Sequence, residues 1–102
     1  MCEPARPGAG EPLTLTLCSQ SLAENQRGVA TALGVGQHEV VVKARRLGGG
    51  FGGKAGNMSD LAAAVAIAAT KLRRPARAVL RREEDFALSG KREGLRGTAH
   101  AF

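Results

Sequence analysis

"LTLTLCSQSLAENQRGVATALGVGQHEVVVKARR", residues 13–46, decides how the chain is built. Its first six residues, Leu13 to Cys18, alternate with a period of two, the pattern of a strand with one buried face. Ser21, with Glu24 three residues on, reads as a capping box, so a helix is predicted from Leu22. Gly34 stands where a C-terminal cap belongs and closes that helix after about twelve residues. "EVVVKARR", Glu39 to Arg46, is rich in β-branched residues and predicts a second strand. Twelve helical residues span about 18 Å and six strand residues about 20 Å, so the helix carries the chain back to its starting edge. Such a crossover is right-handed and joins parallel strands. Ser19 and Gln20 then leave the first strand at the same edge as Gly48 to Gly53 leave the second. Open α/β sheets bind ligands at that carboxyl edge.

Next in the chain is "RRLGGGFGGKAG", residues 45–56, with five glycines around Phe51. From Gly48 it follows the phosphate-loop pattern as far as Lys54, but Ala55 then stands where the hydroxyl that helps hold magnesium is needed. No apolar strand ending in Asp follows, and Lys43, Arg45 and Arg46 are unlike a fully buried parallel strand. A nucleotide-hydrolysing site is therefore rejected. A plain turn needs one or two glycines, and each extra one costs roughly 0.5–1 kcal/mol relative to alanine. Five of them point to a backbone that approaches something closely, with N–H groups able to converge on an anionic or oxo group.

Asn57 or Ser59 is placed to cap a second helix running through Leu72. Its Leu61, Val65, Ile67 and Leu72 sit among alanines, so it is apolar nearly all round and expects cover on several sides. "RRP" ends it, and "ARAVLRR" from Ala76 predicts a third short strand. The expected order is β-α-β-α-β, an α/β fold. Residues 1–12, rich in Pro and Gly, read as an irregular lead-in to a partial domain over 13–102.

At 102 residues the chain has room for one domain, and much of its 43% apolar content is alanine, with three Phe and no Trp or Tyr. Its own core is expected to be thin. The net charge is +6, yet the basic residues are scattered and base-stacking aromatics are nearly missing, so a solvated basic face is preferred to a nucleic-acid surface. Cys2 and Cys18 are too few for a disulfide framework, and His38 and His100 lack ligand spacing. The start has no apolar leader, and the Ala-rich run from Leu61 is too short and small-sided for a membrane span. A soluble, cytoplasmic protein is expected.

Taken in order, "SQ" after an alternating strand, "LGV", "VVVKARRLGGGFGGK" and "RPARAVLRREEDFALSGKR" resemble one family. Over residues 13–92 the chain resembles the molybdenum-binding region of the xanthine dehydrogenases and aldehyde oxidases. The resemblance implies a fragment of a molybdopterin-binding domain. It implies that Gln20 directs its side-chain amide at an oxo ligand of molybdenum. It also implies that Phe51 and Gly52 approach the metal through the backbone, with Gly50 and Gly53 allowing the approach. The implied reaction hydroxylates aldehydes or nitrogen heterocycles with oxygen from water, in a homodimeric parent. Electrons would leave through two [2Fe-2S] clusters and FAD, none of them bound by this segment.

Xanthine-type members carry a substrate-orienting glutamate where this chain has Ala55, which leans toward the aldehyde oxidase branch. "SGKREG", Ser89 to Gly94, stands for the family's "GGRHPF". The base glutamate, the substrate-facing arginine, the cluster cysteines and the flavin domain have no counterpart here. By the resemblance the chain is an internal slice of a longer enzyme, inactive alone. The alternative is a metal-free remnant acting as a basic interaction module.

Overall fold

In the computed structural model, which describes residues 2–3, 10–88 and 94–101, the alternating stretch becomes strand β2, Leu13–Thr16. Strand β3, Val40–Lys43, lies beside it in parallel, with Leu13 opposite Val40 and Thr16 opposite Lys43. Between them runs helix α1, Leu22–Leu33, closed by Gly34 in the left-handed conformation at φ 69°. The Gly34 and Val35 amides bond back to Thr31 and Ala30, which satisfies carbonyls that the helix end would otherwise leave open. A short 3₁₀ turn, Gln37–Glu39, leads into β3. The β-α-β unit is as expected, with both strands shorter than the stretches Leu13 to Cys18 and Glu39 to Arg46, Glu39 being taken into the 3₁₀ turn.

Helix α2, Ser59–Leu72, follows the glycine loop, and a seven-residue helix α3 spans Arg82–Leu88. Within the lead-in, Cys2–Glu3 forms β1, which pairs antiparallel with β2 through Cys2 opposite Leu15. The sheet order is β1-β2-β3. The remainder of the lead-in up to residue 9, and Ser89 to Glu93 of the "SGKREG" stretch, lie outside the described residues.

Leu13 and Leu15 of β2 and Val40 of β3 share the face that meets the helices. Against them pack Val29 and Ala30 of α1 and Ala62, Val65, Ala66 and Ala69 of α2. Four of these nine buried apolar residues are alanines, so the helices approach closely but bury little area. Full burial of a Leu or Val contributes about 1.5–3 kcal/mol, and an alanine methyl far less. The core is as thin as the composition implied. In α2 the spacing of Ala62, Val65, Ala66 and Ala69 is i, i+3, i+4, i+7, a single stripe, and Leu72 is exposed. The all-round apolar helix is covered on one side only.

Three local expectations are corrected. No strand forms over Ala76 to Arg82: Ala76 makes one isolated bridge and the chain then enters α3. Both edges of β2 are already taken by β1 and β3. Helix is favoured from Arg82 because Glu83, Glu84 and Asp85 fill its first turn, where negative charge meets the positive end of the helix dipole. The Glu84 carboxylate also accepts from the Arg81 amide at 2.8 Å. The Ser21–Glu24 capping box does not form, since Ser21 makes no side-chain cap bond and its amide goes to Ser19 Oγ instead. Neither Asn57 nor Ser59 caps α2: the chain enters through the 3₁₀ turn Gly56–Met58, and the Ser59 amide finds the Gly56 carbonyl. Backbone winding supplies the partner that a side chain was expected to supply.

Candidate functional site: a glutamine clamped to the glycine loop

Because β2 and β3 are parallel and in register, the chain leaves both at the same edge, and residues 17–20 run beside residues 43–54. The Leu17 amide bonds to the Lys43 carbonyl at 2.9 Å, and Cys18 Sγ donates to the Arg46 carbonyl at 2.9 Å. The Gln20 amide reaches the Lys54 carbonyl at 2.8 Å. The end of one strand is thus stitched to the loop that follows the other.

Gln20 is the centre of this contact. Its Oε1 accepts from the Gly52 amide at 3.0 Å and from the Lys54 amide at 3.3 Å. Both neighbours are N–H donors, so oxygen and not nitrogen must face them, and the orientation of the side-chain amide follows. Gln20 Nε2 then points away from the loop, makes no hydrogen bond among the described residues, and sits on an exposed residue. Expectation and structure differ in one respect here. The loop amides do converge, but on the glutamine oxygen, and what the site presents outward is the glutamine NH₂.

The loop owes its shape to a turn from Gly50 to Gly53, closed by the Gly53 amide on the Gly50 carbonyl at 2.8 Å. Its central residues, Phe51 at φ 47° and Gly52 at φ 81°, are both left-handed, as a type I′ turn requires. For phenylalanine this conformation costs about 1–2 kcal/mol. Yet the Phe51 side chain is 86% exposed, so within this chain the strain is not offset by core burial. A Cβ on Gly50 would overlap the Gln20 side chain, so only glycine lets the loop backbone lie this close. Ala55 is half-buried just past the loop, ahead of the 3₁₀ turn.

Of the residues singled out in the sequence, Gln20, Gly50, Gly52 and Gly53 come together, Phe51 stands at the tip, and Ala55 borders the group. Two further residues belong here: Ser19, which the sequence placed at this edge without a role, and Asn25, which it did not single out. Ser19 is buried and bonds the Lys54 carbonyl through Oγ at 2.9 Å, and Asn25 of α1 is buried behind it. A signal for Asn25 was present: it lies four residues before Val29, a polar side chain on the apolar face of α1. Beside the loop, Arg45, Arg46, Lys54 and Arg77 border a cleft of about 730 Å³ that reaches down to Leu15 and Val65. Among the described residues no three His, Cys, Asp or Glu side chains are grouped as a metal site, and no helix is long and apolar enough to cross a membrane.

Residues 3–101 match the family model of the molybdopterin cofactor-binding domain. The chain is 43% identical over 86 residues to the probable aldehyde oxidase gad-3 of Caenorhabditis elegans, covering 84% of this chain and 7% of that protein. It is 41% identical over 90 residues to the xanthine dehydrogenase/oxidase of Gallus gallus, covering 88% of this chain and 7% of that one. Against the xanthine dehydrogenase of Emericella nidulans it is 47% identical over 74 residues, 72% of this chain and 5% of that protein. The chain therefore spans less than a tenth of the length of these relatives. A glutamine clamped to a glycine turn at a parallel sheet edge, together with these matches, identifies the chain as a member of the molybdopterin-binding family of the aldehyde oxidases and xanthine dehydrogenases.

Proposed function

We propose that this segment forms the part of a molybdopterin cradle in which Gln20 donates a hydrogen bond to the oxo end of the cofactor's metal. The observation that carries this reading is the orientation of Gln20: its oxygen is held by the Gly52 and Lys54 amides, so its Nε2 hydrogens are directed outward. An outward amide NH₂ suits an oxo group, which is an acceptor only. The missing side chain of Gly50 fits this reading too, because it leaves room for the Gln20 side chain to lie against the loop with its oxygen inward. When bound, the molybdenum centre supplies Lewis acidity and accepts the electron pair taken from substrate.

The role of this chain's residues is positional. Gln20 donates to the cofactor at a fixed point, and the clamp to Lys54 keeps that donor in place as charge changes on the group it contacts. A donor fixed beforehand needs no reorganisation during reaction, which is why such groups contribute strongly to rate. Phe51 and Gly52 form the wall of the cradle nearest that donor, with Gly50 and Gly53 setting the turn.

The substrate class we propose is an aldehyde or nitrogen heterocycle, with the apolar methyl of Ala55 favouring the less polar aldehydes. FAD, two [2Fe-2S] clusters and the proton-abstracting carboxylate belong to the remainder of a longer, homodimeric polypeptide, so the segment is inactive by itself.

Gln20→Glu tests the donor directly. The carboxylate still accepts from the Gly52 and Lys54 amides but has no hydrogen to give. Turnover by the full polypeptide should fall about 10²–10³-fold, the size of effect seen when one preorganised donor is removed. Molybdopterin content should stay near that of the wild type. Wild-type turnover in this variant would remove Gln20 from the reacting centre.

A further inference from the structure

Behind Gln20 lies a polar network that the clamp alone does not need. Asn25 has no exposed surface and Ser19 has 4%. Asn25 Nδ2 donates to Ser19 Oγ at 2.9 Å and to the Ser21 carbonyl at 2.6 Å. Ser19 Oγ also accepts from the Ser21 amide at 3.0 Å. A serine hydroxyl has two lone pairs and one hydrogen. With both lone pairs engaged by N–H donors, its hydrogen must be given away. The near acceptor is the Lys54 carbonyl at 2.9 Å, the Ser21 carbonyl being the longer alternative at 3.4 Å.

The Lys54 carbonyl therefore receives two bonds, one from Ser19 Oγ and one from the Gln20 amide at 2.8 Å. The Lys54 amide in turn donates to Gln20 Oε1. Gln20 grips one residue of the loop with both its main chain and its side chain, and Ser19 fixes that residue from the buried side. Asn25 bears a cost for this: its Oδ1 is buried and makes no hydrogen bond. An unpaired buried acceptor is unfavourable, and an apolar residue at this point of α1 would avoid it. What the position gains is two donors, and both are spent on the Ser19–Ser21 turn that carries Gln20.

We propose that Asn25 and Ser19 are positioning residues that set the Gln20–Lys54 clamp, and through it the direction of the Gln20 amide. Its consequence for catalysis rests on the reading of Gln20 given above, but the positioning is measurable without any cofactor. The Asn25 amide orients the Ser19 hydroxyl, the hydroxyl holds the Lys54 carbonyl, and the loop amides are thereby kept on Gln20 Oε1.

The experiment is hydrogen–deuterium exchange on the full polypeptide, comparing wild type with Ser19→Ala and Asn25→Leu. Exchange at the Gly52 and Lys54 amides should rise about tenfold, the change expected for loss of roughly one net hydrogen bond. Exchange at the amides of β2 and β3 should stay unchanged. In a Gln20→Ala background, Ser19→Ala should add nothing at Gly52, because the bond it supports is already gone. Unchanged loop exchange, a rise shared equally by β2 and β3, or full additivity with Gln20→Ala would each overturn the proposal. Should Asn25→Leu fail to fold, the Ser19→Ala pair of measurements carries the test. Normal turnover in Gln20→Glu would refute the catalytic role of Gln20 and leave these exchange results unaffected, so the two ideas fail separately.

Discussion

The stretch from β2 to α2 and the stretch after Leu72 use apolar residues in opposite ways. Every buried apolar residue of the described core lies between Leu13 and Ala69. After Leu72 no described residue is fully buried, and Val79, Phe86, Leu88 and Leu95 are largely exposed. Its ion pairs, Arg81–Glu84 at 3.2 Å and Arg82–Asp85 at 3.9 Å, lie at the surface, where such pairs contribute little. The first region contains both the core and the clamp, and the hydrogen bonds of the clamp close within it. Among the described residues of the second region, Ala76 packs against the core, while the larger apolar side chains stay mostly exposed. The site is thus attached to the part of the molecule that specifies its own packing.

The comparison breaks most severely at Leu15. It is 2% exposed and central to the sheet-helix interface, so Leu15→Ala should cost about 2–5 kcal/mol in urea unfolding. A loss below that range would mean that the core reorganises around the gap and that the first region is less tightly specified than its burial implies.

A smaller effect is expected within the loop. Gly52→Ala places a Cβ on a residue at φ 81° and should lower stability by about 1–2 kcal/mol. Under the role proposed for Gln20, turnover of a longer parent enzyme should fall with it, because the Gly52 amide is one of the two that orient Gln20. Unaltered stability together with unaltered turnover would show that the left-handed turn is not needed.

The second region should hardly respond. Val79 is 69% exposed, so Val79→Ser should change stability by no more than about 0.5 kcal/mol. A clearly larger loss would show that the 77–80 stretch packs onto the cleft in solution, and the contrast between the two regions would narrow.

Legibility in the sequence follows the same division. The β2-α1-β3 unit could be read because period-two alternation, a glycine cap and a β-branched run are local signals, and local geometry then fixed which edge Gln20 and the glycines share. The Ala76 to Arg82 strand was misjudged because a strand exists only with a partner, and the partner edges of β2 were occupied by β3 and by a two-residue strand in the lead-in. Caps were misjudged for a related reason: Ser21 and Asn57 have the right chemistry, but backbone and neighbouring side chains reached the open groups first.

The sequence by itself determined the parallel crossover, the glycine turn and the residue types that meet at the sheet edge, since each depends on spacing within a few residues or on one helix length. Only the tertiary structure decided that the loop amides close on Gln20 Oε1, that Ser19 and Asn25 support them from behind, and that Gln20 turns its NH₂ outward. The contacts of Ser19 and Gln20 with the loop join residues more than thirty positions apart, and hydrogen-bond direction depends on which donor reaches which acceptor, a question that no local pattern answers.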